Sequence, residues 1–78
     1  MIPRNEKGQA HGYVKHYWSG GSLLSKGNYI NGKEVGYWDN YWSNGRLCSK
    51  GKYRAGNRVG FWKHYRKNGE IWFKIYFV

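Results

Sequence analysis

Eight side chains could carry acid–base, nucleophilic or metal chemistry: His11, His16, His64, Cys48, Glu6, Glu34, Asp39 and Glu70. Catalysis by such groups needs them within hydrogen-bond reach of one another. Here the carboxylates are scattered, and no Ser/His/Asp or Cys/His arrangement has local support. Cys48 reads as a small packing residue. As the lone cysteine it also excludes an intramolecular disulfide. His16 and His64 occupy equivalent positions of a repeat, two periods apart, hence four strands or about 19 Å from one another. One ion with ligand distances of about 2 Å cannot join them. No zinc, RNP, KH or recognition-helix pattern is present. The expectation is a chain with no catalytic residues, no metal and no cofactor.

The other chemistry available is binding. Fourteen Lys and Arg stand against four Asp and Glu, a formal net charge of +10 on 78 residues. Such a balance favours acidic partners: an acidic protein face, nucleic acid or an anionic membrane surface. Five Trp, eight Tyr and three Phe accompany the charge. Large rings let a short chain offset its ordering entropy, and exposed rings make interface hot spots. Residues 1 to 11 are polar and lack the apolar stretch of a signal peptide, and no apolar run approaches the ~20 residues of a membrane-spanning helix. A soluble, cytoplasmic protein is expected.

The elements that position these residues come from an internal repeat. Gly12, Gly36 and Gly60 open units with a period of 24 residues and no insertions. Fixed-period self-similarity marks a repeat architecture. Residues 1 to 11 read as a degenerate cap, 12 to 35 and 36 to 59 as two full units, and 60 to 78 as a third that departs from the pattern. Each unit reads as two strands and two turns. Asn44-Gly45 is a hairpin signal of the type I′ kind, with Gly20-Gly21 and Asn68-Gly69 in its place in the other units. Gly32 and Gly56 mark a longer turn into the next unit. The fold class is all-β, a meander of about six antiparallel strands.

A two-residue hairpin fixes cross-strand partners and therefore faces. One face pairs Trp42 with Leu47, Asn40 with Ser49, Trp38 with Gly51 and Gly36 with Tyr53. Val14 with Gly27 and Trp62 with Ile75 belong to the same face, which is the expected core, the glycines leaving room for the side chain opposite. The other face pairs Tyr41 with Cys48, Asp39 with Lys50 and Tyr37 with Lys52. It carries a ladder of Tyr13, Tyr37 and Phe61 and another of Tyr17, Tyr41 and Tyr65. Lys15 opposite Lys26, and Lys63 opposite Lys74, are like charges directly opposed, which mildly destabilises a sheet and points to an anionic ligand between them. Residues 70 to 78 are apolar on both faces. They form an edge that either pairs with a second copy or partner strand, or folds back as a cap.

The motif Gly-x-Trp-x-x-Tyr-x-x-Asn-Gly-x-Leu-x-x-Lys-Gly-x-Tyr-x-x-Gly, met throughout residues 36 to 56, resembles the MORN repeat, in the bacterial variant of YwqK-type antitoxin-like proteins. Residues 12 to 32 match except at Val14 and Gly20, and residues 60 to 71 match with Ile71 for Leu. The resemblance implies a single-layer antiparallel sheet of hairpins. It further implies binding rather than catalysis, through protein contacts, dimerisation or anionic phospholipid. No functional residue carries over, because the shared positions are structural.

These readings converge on a small inhibitor, antitoxin-like or adaptor protein, of the kind found on phage or mobile elements, that docks an acidic protein partner. The expected docking residues are Tyr13, Tyr17, Lys26, Tyr37, Tyr41, Lys50, Lys52, Tyr65 and Lys74. Sequence-tolerant binding to nucleic acid or an anionic membrane is the alternative, and a homodimer through strand 70 to 78 is a further option.

Overall fold

The computed structural model describes residues 2 to 78. Six strands follow one another: β1 (Gly12–Tyr17), β2 (Leu23–Ile30), β3 (Lys33–Tyr41), β4 (Leu47–Arg54), β5 (Asn57–Tyr65) and β6 (Ile71–Phe77). Each is antiparallel to its neighbour and the spatial order is the chain order. The result is one open meander, thin enough that its Cα atoms fill 41 × 35 × 12 Å. The expected fold class is the observed one.

The two kinds of turn are exchanged relative to expectation. Asn31 and Gly32 have φ of 50° and 82°, and Ala55 and Gly56 have 48° and 86°. Positive φ at both central residues is the type I′ geometry, so the tight two-residue turns join β2 to β3 and β4 to β5. At Ser43-Asn44-Gly45 only Gly45 has positive φ, at 89°. Its N–H donates to the Trp42 carbonyl, and the Trp42 N–H donates to the Arg46 carbonyl. This is a three-residue turn with glycine in the left-handed position. Asn44 fixes it by accepting from the Arg46 N–H, as Asn68 does from the Glu70 N–H.

The longer turn moves the tip pairings by one residue. Tyr41 faces Leu47, where Trp42 was expected to, and Tyr17 faces Leu23 and Tyr65 faces Ile71. A bulge then absorbs the shift. Cys48 is the extra residue and has no partner of its own, so its expected pairing with Tyr41 does not form. Burial pushes the Cys48 thiol above its ordinary pKa, which keeps it protonated. Beyond the bulge the expected ladder holds from Asn40–Ser49 through Gly36–Tyr53.

Among the described residues only three apolar side chains are buried: Val14, Trp38 and Trp62. A single sheet has no second layer, so the indoles lie flat against their own sheet. Trp38 covers Gly27 and Trp62 covers Gly51, and a Cβ on either glycine would overlap the ring. The glycines therefore make room for the tryptophan of the following unit, not for the residue opposite in their own hairpin. The indole N–H groups of Trp38 and Trp62 donate to the Asn28 and Lys52 carbonyls at 3.1 Å. Tyr29, Trp38, Tyr53 and Trp62 meet edge to face, with centroids 5.0–6.1 Å apart. Such contacts contribute about 0.5–1.5 kcal/mol each beyond area burial. Arg58 closes the row with its guanidinium 4.8 Å from the Trp62 ring. One row of this face is polar rather than apolar: His16, Ser25, Asn40, Ser49 and His64 are successive cross-strand neighbours. Ser25 and Ser49 are buried, and Asn40 donates to Ser49 Oγ at 3.1 Å.

The two edges differ. At β1 the chain turns back, with an Arg4–Ala10 bridge and the His11 N–H donating to the Pro3 carbonyl. At the other end β6 continues the sheet as its sixth strand rather than folding back as a cap, and nearly every one of its residues is exposed.

Candidate functional site

The candidate site is the face opposite Trp38 and Trp62. Its central feature depends on how one unit pairs with the next. Between Asn28–Val35 and Lys26–Asp39, β3 spends Gly36, Tyr37 and Trp38 where β2 spends only Gly27. The same irregularity lies between Lys52–Val59 and Lys50–Lys63. Gly36 and Gly60 open these bulges in the left-handed region, at φ of 70° and 71°. Bulges of this kind re-aim the residues that follow.

The consequence is one row of charge. Lys15 faces Lys26, Lys26 faces Asp39, Asp39 faces Lys50, Lys50 faces Lys63 and Lys63 faces Lys74. Directly opposed residues share a face, so six side chains, one per strand, cross the sheet in a line. A strand spacing of about 4.8 Å gives the line a length of about 24 Å. None of the six is buried. Three of the five neighbouring pairs are like-charged, and only Asp39 relieves the row.

Aromatic side chains border the line. Two residues before the charged position lie Tyr13, Tyr37 and Phe61, with 52, 78 and 66 % of their surface exposed. Two residues after it lie Tyr17, Tyr41 and Tyr65. Of these Tyr17 is exposed and the other two are half-buried. Tyr76 extends the first border by packing on Phe61 at 4.8 Å. A depression of about 230 Å³ opens in the middle, lined by Tyr37, Asp39, Lys50, Phe61 and Lys63 over the backbone of Trp38 and Gly51.

The lysines also use the rings. Lys26 Nζ lies 5.8 Å from the Tyr41 centroid, and Lys52 Nζ 6.0 Å from that of Tyr37. Hydrogen bonding to the Tyr41 hydroxyl, then the phenols of Tyr41 and Tyr13, push the Lys26 ammonium above its ordinary pKa. On the opposite face, burial and then Arg58 lower the pKa of His64, which stacks on Phe73 at 4.4 Å.

Of the nine docking residues expected from sequence, Lys26, Lys50 and Lys74 lie in the row, and Tyr13, Tyr17, Tyr37, Tyr41 and Tyr65 border it. Lys52 pairs with Tyr37 at its margin. The expected docking set omits Lys63 and Phe61, which the sequence places on this face, and likewise Lys15 and Asp39, although Lys15, Asp39 and Lys63 are members of the row and Phe61 borders it. Pairing within hairpins shows three of the five contacts in the row. The rest depend on the bulges between hairpins, for which Gly36 and Gly60 are the only sequence signal. Among the described residues no group of three or more His, Cys, Asp or Glu side chains comes together. No protein-family model, curated protein or solved structure matches the chain.

Proposed function

We propose that this chain is a non-catalytic binding module that docks an acidic partner protein on its lysine-and-tyrosine face, acting as a small inhibitor or adaptor. The observation that carries the reading is the six-residue row with its exposed aromatic borders. An unoccupied row of like charges is mildly unfavourable to the sheet, and an anionic partner removes that cost. Rings left exposed where Trp38 and Trp62 are buried have the composition of interface hot spots. The MORN-like motif of residues 36 to 56 leans the same way.

Asp39 favours a protein over nucleic acid or an anionic bilayer. A phosphodiester backbone or a charged lipid surface brings negative charge everywhere along the row and must set some of it against Asp39. A protein can place a neutral or basic residue there. Unfavourable contacts of this kind are how interfaces exclude wrong partners.

The test is capture of partners from host lysate on the tagged chain, with and without nuclease and at two salt concentrations, beside a Lys50→Glu/Lys63→Glu variant. One stoichiometric protein that resists nuclease and moderate salt, and is lost with the variant, is the expected result. Nuclease-sensitive material that washes off steeply with salt would replace this reading with nucleic-acid binding.

A further inference from the structure

We infer that the partner presents an α-helix lying across the strands, with an acidic stripe that carries a basic residue at the one turn meeting Asp39. This rests on the reading of this face as a docking surface for an acidic protein.

The first reason is spacing. Neighbouring charges in the row are about 4.8 Å apart, the distance between strands. Side chains one turn apart on a helix recur every 5.4 Å. Over five intervals the mismatch accumulates to about 3 Å, which flexible lysine stems take up. An extended peptide presents one face every two residues, about 6.7 Å, and drifts by roughly 10 Å over the same row. The match requires a nearly straight row.

The second reason is width. Tyr37 and Tyr41 flank Asp39, Tyr13 and Tyr17 flank Lys15, and Phe61 and Tyr65 flank Lys63. Residues four apart on a strand are about 13 Å apart. A helix with side chains is about 10–12 Å across. On β1, β3 and β5 the lysine row is thus bordered on both sides by rings set about one helix diameter apart.

The third reason is sign. From β1 to β6 the row reads plus, plus, minus, plus, plus, plus. The sequence is asymmetric, so a complementary helix fits in one direction and one register. A single buried or opposed charge that costs stability but fixes register is an attested device in helix pairing.

The test uses the full chain and labelled helical peptides of about 18 residues, the length that spans a row of this size. One peptide carries Glu once per turn, another has Lys in place of Glu at the turn meeting Asp39, and a third is the second with a central proline that breaks the helix. Fluorescence anisotropy reads the affinities, and melting curves check that each variant folds. The Lys-containing peptide is expected to bind the natural chain about tenfold more tightly than the all-Glu peptide, as like-charge juxtaposition costs on the order of kcal/mol. Asp39→Lys should reverse that order, and Asp39→Asn should abolish the preference.

Equal binding of the proline peptide would overturn the helix. An unchanged preference in both Asp39 variants would overturn the register. If no peptide binds while a single-stranded oligonucleotide does, the docking reading itself fails, a different result from either of these.

Discussion

Tyr37 and Trp38 are neighbours in the chain, as are Phe61 and Trp62. Tyr37 is 78 % exposed and Trp38 4 %, while Phe61 is 66 % exposed and Trp62 0 %. Alternation along a strand sends each pair to opposite faces, and the faces then meet opposite fates. On one, a glycine of the preceding hairpin receives the indole and a backbone carbonyl accepts from its N–H. On the other the ring stays largely in solvent, touched only at its margin by Lys52 at Tyr37 and Tyr76 at Phe61, and lysines line the space beside it. The same class of side chain is therefore structural or available for binding according to parity and to what the adjoining strand leaves open.

The largest effect expected from breaking this contrast is at Trp62. Trp62→Ala removes a fully buried ring at a cost of about 3–5 kcal/mol, most of the stability of a domain this small. Thermal unfolding should show no cooperative transition at room temperature or above. A melting temperature within a few degrees of the natural chain would refute the packing described. Gly51→Ala should be nearly as damaging, since its Cβ would overlap the Trp62 ring.

On the other face, Tyr37→Ala should leave stability within about 0.5 kcal/mol, as is usual for exposed sites. Partner affinity, read by calorimetry, should fall. Tyr41→Ala is the less clean probe, because Tyr41 is half-buried beside the hairpin bulge. Lys63→Gln separates stability from binding further. Lys63 faces Lys50 and Lys74, so removing its charge should raise stability by a few tenths to about 1 kcal/mol while weakening binding. A loss of stability would mean the row is not under repulsion.

The smallest effect concerns pH. His64 has a pKa below its unfolded value, so the folded state binds a proton less readily than the unfolded chain. Its contribution is fully present above the unfolded pKa of about 6.5 and is lost as pH falls below it. The melting temperature should dip slightly from pH 7 to pH 5, and less so in His64→Gln. An identical dip in that variant would assign it to other groups.

Much of the fold is legible in the chain. The 24-residue period, the glycine-bearing turns and the aromatic alternation give six antiparallel strands in order. The ladder of each hairpin is legible too, even though the turn type is not. A two-residue loop and a three-residue loop followed by a bulge at Cys48 lead to the same pairing from Asn40–Ser49 onward. The nature of the turn is therefore invisible to a pattern argument that checks only the strands.

Pairing between hairpins is where pattern stops. Asn31-Gly32 as an unbroken two-residue turn would set Lys26 against Tyr37, and Ala55-Gly56 would set Lys50 against Phe61. The bulges opened by Gly36 and Gly60 move these partners by two residues, to Asp39 and Lys63. Both registers keep the same face toward the indoles, so alternation cannot choose between them. The choice falls to packing: three residues of β3 pass over Gly27 so that Trp38 can lie on it, and three of β5 do the same for Trp62. Residue types along the chain determined the strands, the two faces and the excess of positive charge. Seating two tryptophans on two glycines decided that the lysines stand in one line.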